Sequence, residues 1–355
     1  MVTPKFATVK QSFHAELKKR VNGYFQEKGI APTGNPKLYS KAIILGTSLI
    51  FLYIHLVFFT PPPVWAIIES LLMGIVGAAL SFNLMHDGAH GSFSQNRVVN
   101  ALAAHSWDLI GGSTFIWKMK HNVIHHSYTN VEGLDDDISV KPWLRMSEGQ
   151  ERLKMHKYQH LYFWFIYPLT YLFMIFVQDF LKYFTKKIGD IPMKKMDTRD
   201  HLIFWGFKIV YIALFLVLPI YMVGFQSFII GFMIFSLVNG FILSIVFQLA
   251  HTVEHTHFPM PDAVTNKFED EWAVHQVKTT ANFATHSKAI SWFVGGLNFQ
   301  VEHHLFPKIS HIHYPQISKI IKQACADYGL QYIEYPKMRH AVASHISFLK
   351  QMGRH

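Results

Sequence analysis

Four stretches of this chain are long and apolar enough to cross a bilayer, and they limit what it can fold into. They run from Ala42 to Thr60, Val64 to Met85, Leu202 to Val223 and Phe228 to Ala250. A hydrocarbon core of about 30 Å takes ~20 helical residues. Inside it every backbone group must be satisfied within the chain, which for runs of this length means helices. Composition agrees: half of the residues are hydrophobic and only 16% are charged, where soluble domains carry about 25%. An ordinary soluble enzyme and an intrinsically disordered chain are both excluded. The fold class expected is an all-α integral membrane protein with four transmembrane helices.

Two further stretches are ambiguous. Residues 101–117 hold His105 and Asp108, and residues 161–184 hold Pro168, Gln178, Asp179 and Lys182 among many aromatics. Both are read as interfacial helices. Residues 1–40 are polar and basic with no signal peptide evident, so the positive-inside rule predicts a cytoplasmic N-terminus. The lysine-rich loop at 182–199 and the polar tail from 251 onward fall on the same side if 161–184 does not cross. This predicts an N-terminal arm (1–40), a membrane domain (41–320) and a tail (321–355), with arm, middle loop and tail forming a cytoplasmic helical cap. The formal charge of +10 would suit an anionic membrane face, an acidic partner or nucleic acid. No nucleic-acid motif appears, and the apolar content favours the membrane.

The 23 histidines are the chemical signal, set against one cysteine, Cys325. A single thiol excludes a disulfide and any cysteine-based metal site, so a bound metal must rely on imidazole. Three clusters stand out: His86-Asp87-Gly88-Ala89-His90, His121-Asn122-Val123-Ile124-His125-His126, and Gln300-Val301-Glu302-His303-His304. Residues four apart share a helix face, so His86/His90 and His121/His125 can each address one metal. An adjacent doublet turns by about 100° on an α-helix, which lets its second member reach a neighbouring ion. The pattern therefore predicts a histidine-rich dinuclear site.

Spacing alone is weak evidence. At this composition roughly one or two HxxxH pairs arise by chance, and the chain has four. His156/His160 reads as solvated surface. His251, at the end of the last apolar run, competes with His255 as a further ligand. His55 sits in the first run without a polar neighbour and reads as a packed neutral ring. His311 and His313 read as loop residues. Asp87 and Glu302 adjoin presumptive ligands and suit the outer hydrogen bonds that orient imidazoles. Asp135-Asp136-Asp137 reads as a solvated loop or an acidic docking patch.

In order, HDGAH, HNVIHH and QVEHHLFP resemble the three histidine boxes of the membrane fatty-acid desaturases, and the likeness covers residues 40 to 320. Gly295-Gly296-Leu297-Asn298-Phe299-Gln300 leading into the third box matches as well. Gln300, where most of the family has histidine, is similar to the front-end, linoleoyl-CoA-desaturase-like members. The resemblance implies two iron ions held by His86, His90, His121, His125, His126, His303 and His304, with His251 at the end of the last span. It leaves the role of Gln300 open. It implies O2 as co-substrate and an acyl-CoA or acyl-lipid substrate. No HPGG haem motif occurs, so electrons are expected from a separate carrier of ferredoxin or cytochrome b5 type. The C–H bonds of methylenes are not acidic, which requires an oxidising metal rather than an acid–base side chain, and imidazole suits iron. The aromatic segments 107–117 and 161–176 are candidates for the walls of an acyl tunnel or for membrane-belt anchors.

Two other readings compete. The same scaffold could hydroxylate or ketolate a lipid or carotenoid. A histidine-rich metal transporter belongs to a different class, but transporters place ligands near the bilayer midplane, whereas these clusters fall at span ends and in loops.

Overall fold

A computed structural model describes residues 3–354 and is almost wholly helical. Helix α1 (Phe13–Lys28) packs on the polar side of the molecule. Two long helices follow, α2 (Pro36–Phe59) and α3 (Pro63–His90), joined by the proline turn. Then come α4 (Arg97–Leu109) and the helical run α5 at 114–125. Three more long helices are α6 (Lys154–Thr185), α7 (Thr198–Val223) and α8 (Phe225–His251). The remainder is short: α9 (Trp272–Thr279), α10 (Lys288–Phe293), α11 (Gln300–Leu305), α12 (Tyr314–Asp327) and α13 (Met338–Met352). Among the described residues there are two short strand pairs: Lys187–Ile188 with Ile191–Pro192, antiparallel across a turn, and Asn282–Phe283 with Glu334–Tyr335, parallel and joining segments far apart in the chain.

Among the described residues five helices, not four, are long and apolar enough to cross a membrane. The addition is α6, which makes one 32-residue helix of a segment expected to be a shorter interfacial one. Its apolar content is high, and its polar residues fall on one side. Asp179 meets Lys208 of α7 at 2.8 Å, and Lys182 meets Asp136 at 2.7 Å. The outer face shows Leu161, Phe165, Leu169, Phe173, Leu181 and Phe184. Pro168 loosens the helix into a 3₁₀ turn at Tyr167–Leu169, and a π-helical turn follows at Met174–Gln178, since proline cannot donate to the preceding turn. Both ends of α6 are tied to polar segments: Gln159 to the Arg145 and Leu349 carbonyls, Lys182 to Asp136. The other long helices run a few residues beyond the expected spans, because caps at Asn35 and Asp197 add a polar first turn.

The surface is inverted relative to a soluble protein. Ile43, Ile50, Phe51, Leu202 and Ile209 point outward, while Lys208 is buried against Asp179 and the Gly111 and Ile175 carbonyls. Lipid takes the place of a hydrophobic interior for the outer face, so the polar groups turn in. Close helix contact is secured by Gly240 of α8: a Cβ there would lie 2.2 Å from the Pro168 carbonyl oxygen of α6. His55 is not isolated, as the sequence suggested; Glu69 of α3 meets its Nδ1 at 2.8 Å. The two residues sit either side of the proline turn, a pairing that only the hairpin creates.

On the polar side, α1 packs Phe13, Leu17, Val21 and Phe25 against α9, α11 and α12. A second core joins α6, α8 and α13 through Phe163, Tyr167, Leu249 and Leu349. His275 is buried beside Phe6 and Phe268, with Nε2 2.9 Å from the Thr129 carbonyl. Burial pushes its pKa down to about 4, although that carbonyl pulls the other way. Unfolded histidine takes its proton near 6.5. Between pH 6.5 and 4 the unfolded state therefore binds more protons, and stability falls as pH falls through that window. The contribution is about 3 kcal/mol at most. Thermal unfolding of detergent-solubilised protein should lose less midpoint between pH 7 and 5 in His275→Gln than in wild type; equal losses would contradict this.

Candidate metal centre

The site is assembled where three helices end and a loop returns. Box one follows a π-helical turn at Ser81–Met85 and occupies the last turn of α3, with the His86 and His90 rings 4.8 Å apart. Box two is itself π-helical over Met119–His125, and the His126 amide bonds the His121 carbonyl at 3.1 Å. The expectation of an α-helical box is corrected here. In an i→i+5 turn, residues four and five apart straddle one line, so His125 and His126 flank His121 on the same face. Box three is the short helix α11, where the His303 and His304 planes lie at 84° and diverge. His251 ends α8, fully buried.

Two groups of ligating atoms result. His86, His90, His121 and His303 form one, and His125, His251 and His304 the other; within each, the atoms lie within 4.8 Å of one another. His126 stands between them, its ring 4.8 Å from His90, 4.6 Å from His303 and 4.4 Å from His304. A third, overlapping group is His121, His125 and Asp137. His255 is exposed, so His251 is the member of that pair that enters the cluster.

The imidazole nitrogens carry the chemical meaning. Nε2 of His86, His90, His125, His251, His303 and His304, and Nδ1 of His126, are buried without a hydrogen-bond partner among the described residues. Buried polar atoms seldom stay unpaired, because the lost hydration is not repaid. The opposite ring nitrogen is held in four cases. His125 Nδ1 lies 3.0 Å from Asp135, His251 Nδ1 3.4 Å from the Thr279 carbonyl, His303 Nδ1 3.1 Å from the Tyr314 hydroxyl, and His304 Nδ1 2.8 Å from Gln276 Oε1. An acceptor at Nδ1 keeps the proton there and aims the Nε2 lone pair inward, the arrangement of metal-bound histidine. Burial pushes His121, His126, His303 and His304 well below the ordinary imidazole pKa, with neighbouring rings adding to it, so they hold free lone pairs at neutral pH. Burial also works against charge on His125, but Asp135 and Asp137 outweigh it and raise its pKa. These donors fit a pair of imidazole-bound metal ions, one per group.

The carboxylates fall elsewhere than expected. Asp135 is buried against His125, and Asp137 lies 3.7 Å from His125 Nδ1 and 2.5 Å from Lys120. The acidic run is therefore packed into the site rather than solvated. Asp87 takes hydrogen bonds from Ser310 and His311, not from a box histidine. Glu302 takes them from Asn282 and Tyr332. His311 thus serves the first box through Asp87, while His313 bonds the Thr33 carbonyl at 3.2 Å. His156 is outside the cluster, but it is buried and holds the Pro142 carbonyl at 2.7 Å, so it is not solvated surface. Gln276 and Tyr314 were not singled out in the sequence, since neither lies in a box.

An apolar cavity of about 570 Å³ reaches the histidines. Trp107, Trp117, Tyr167, Phe173 and Phe247 are among its walls, with His86, His121 and Gln300 lining it as well. Trp117 stacks on His121 at 4.4 Å. Of the lining residues, Ser139, Lys141, Trp143, Leu169 and Phe173 are exposed. The cavity therefore opens between the 139–143 loop and the apolar outer side of α6.

Replacing Asp135 by asparagine keeps every metal donor but weakens the hold on His125. Chelator competition with metal analysis should show affinity lower by about 10- to 100-fold; undiminished retention would exclude the role.

Among known proteins, the fatty acid desaturase family profile matches residues 43–336. The chain is 38% identical over 346 residues to the sn-1 linoleoyl-lipid 6-desaturase of Arthrospira platensis, covering 96% of this chain and 92% of that one. It is 35% identical over 356 residues to the Synechocystis sp. protein of the same name, covering 98% and 97%. It is 35% identical over 347 residues to the acyl-lipid (8-3)-desaturase of Physcomitrium patens, covering 97% and 72%.

Proposed function

The chain belongs to the fatty acid desaturase family and is a fatty acyl desaturase; from that premise we propose a di-iron, O2-dependent enzyme of front-end type acting on acyl chains of membrane lipids. The observation that carries this reading is the pair of histidine groups with inward, unpartnered nitrogens beside an apolar cavity. His86, His90, His121 and His303 would hold one iron, His125, His251 and His304 the other, with His126 between them. When bound, the irons supply, with O2, two electrons and two protons, the oxidising power to remove two hydrogens from adjacent methylenes, leaving a double bond and two waters.

The side chains do the rest. Tautomers fixed by Asp135, Gln276, Tyr314 and the Thr279 carbonyl keep the lone pairs on target without reorganisation. The aromatic and methionine walls hold an acyl chain against His86 and His121 and exclude water. A mouth bearing Trp143 and Lys141 beside the apolar side of α6 suits lateral entry of a lipid from the bilayer, since tryptophan and lysine are interfacial residues. The names of the two bacterial relatives, which specify a linoleoyl-lipid, support a lipid carrier over a CoA thioester. Gln300 lines the same cavity, where it would meet substrate or metal. Electrons come from a separate carrier.

For topology we propose four spans, with α6 lying within the cytoplasmic leaflet and both termini and the metal centre facing the cytoplasm. The ties at both ends of α6 and the basic loop at 182–199 support it. Burial pushes the Cys325 thiol up to about 12, so it does not compete with introduced cysteines. Cysteines placed at Gln11 and Asp190 should both react with a membrane-impermeant reagent only from the cytoplasmic side. Labelling of Asp190→Cys from the opposite side would refute four spans.

The activity is tested by expression in a host lacking polyunsaturated lipids, feeding linoleate and locating double bonds by mass spectrometry in lipid and CoA fractions. A new cis bond appearing first in glycerolipid is expected, and His125→Ala should abolish it. Metal-loaded wild type that forms no double bond from any acyl chain supplied would overturn the reading.

A further inference from the structure

Helix α13 lies beyond the residues that match the family profile, yet one of its side chains reaches both the cavity wall and the end of α8. His345 is completely buried. Its Nδ1 lies 2.6 Å from the Thr252 carbonyl oxygen, and its Nε2 lies 2.8 Å from the Tyr167 hydroxyl. A carbonyl can only accept, so the proton sits on Nδ1, and Nε2 accepts from the tyrosine. One ring therefore bridges two fixed points. Thr252 directly follows His251, where α8 leaves carbonyls without helical partners. Tyr167 lines the cavity in the 3₁₀ turn before Pro168, and its carbonyl accepts from Ser244 of α8 at 3.3 Å.

The bridge is braced. Ser344 accepts from the Glu254 amide at 2.9 Å, just past the same turn. Farther along α13, Gln159 of α6 donates to the Leu349 carbonyl at 2.8 Å, and Arg145 donates to the Met352 carbonyl at 2.5 Å. Gln248, whose Oε1 accepts from the Thr252 hydroxyl at 2.8 Å, lines the cavity as well. A helix already held at Ser344, Leu349 and Met352 would not need a buried imidazole beside them for stability alone. Leucine would fill such a site without the cost of burying polar atoms.

We infer that His345 is a positioning residue that ties the cavity wall at Tyr167 to the metal-bearing end of α8 at His251, and so sets which pair of methylenes lies against the histidines. The inference rests on the desaturase reading. An acyl chain in an apolar channel has few features to fix its register, and a misplacement of about 1 Å changes reactivity about a hundredfold. Wall and metal must therefore keep a constant separation, which this bridge provides through two hydrogen bonds from one ring.

The test compares His345→Leu, Tyr167→Phe and the packing control Phe348→Leu in the full-length protein. Double-bond position is read by mass spectrometry of derivatised products, and metal retention by chelator competition on purified protein. His345→Leu should place about a tenth or more of its product at a second position and hold metal about tenfold less tightly. Tyr167→Phe, which loses only the cavity-side bond, should mix positions with metal retention unchanged. Phe348→Leu should lower the unfolding temperature yet keep one position. A single product position in Tyr167→Phe or in His345→Leu would overturn the proposal. So would equal mixing in Phe348→Leu, since general loosening would then suffice. If His345→Leu does not accumulate, Tyr167→Phe decides. If wild type makes no double bond, the activity has failed instead, and wild-type metal retention in His345→Leu would still sink the tie to His251.

Discussion

Everything in this molecule serves to keep a set of imidazole nitrogens buried, bare and aimed at common points. Among the described residues, seven such nitrogens lie unpaired in the interior, a state that water or a hydroxyl would normally end. Each demands that its ring be unable to turn away. The Nδ1 partners provide this for His125, His251, His303 and His304, and they come from three different segments: the acidic loop (Asp135), α9 (Gln276 and Thr279) and the start of α12 (Tyr314). The chain between the boxes is thus the frame of the site as well as its connection.

Membrane embedding sharpens the arrangement. Lipid covers the outer faces of the long helices, so apolar residues are spent on the outside and polar ones are free to be organised within. Lys208 with Asp179, Lys182 with Asp136 and Lys120 with Asp137 form successive pairs leading toward the histidines. Buried charges of this kind are tolerated when paired, and here the pairing also pins α6 and α7 to the loop that carries Asp135. The cavity belongs to the same geometry: α3, α6 and α8 all line it, and the 3₁₀ turn of α6 at Pro168 packs closely on Gly240 of α8.

Much of this was legible in the sequence. Apolar length predicted four of the long helices to within about six residues, and histidine spacing picked out seven of the rings that converge, while His251 was left competing with His255. What escaped was whatever depends on pairing across the fold. The segment at 161–184 looked too polar to be one long apolar helix because Asp179 and Lys182 count against it, yet both face partners inside. Asp135 to Asp137 looked solvated because three adjacent carboxylates usually are. Their partners, Lys120, Lys182 and His125, are separated from them in sequence and meet them only after folding. Asp87 and Glu302 were chosen by adjacency, but a side chain next to a ligand in a helix points away from it. Gln276, Tyr314 and His345 had no local signal, since an ordinary glutamine, tyrosine or histidine becomes special only through what it touches.

The π-helical second box has a bearing on how such sequences are compared. A π-turn is, in effect, one residue more than an α-helix would use to come round to the same side. The spacing HxxxHH records that extra residue: His125 and His126 share the place that an α-helix would give to one of them. Counting gaps between histidines therefore measures local helix type as much as metal preference. A chain that kept every histidine but lost one residue from this turn would still look rich in imidazole, while its second box could no longer reach both histidine groups.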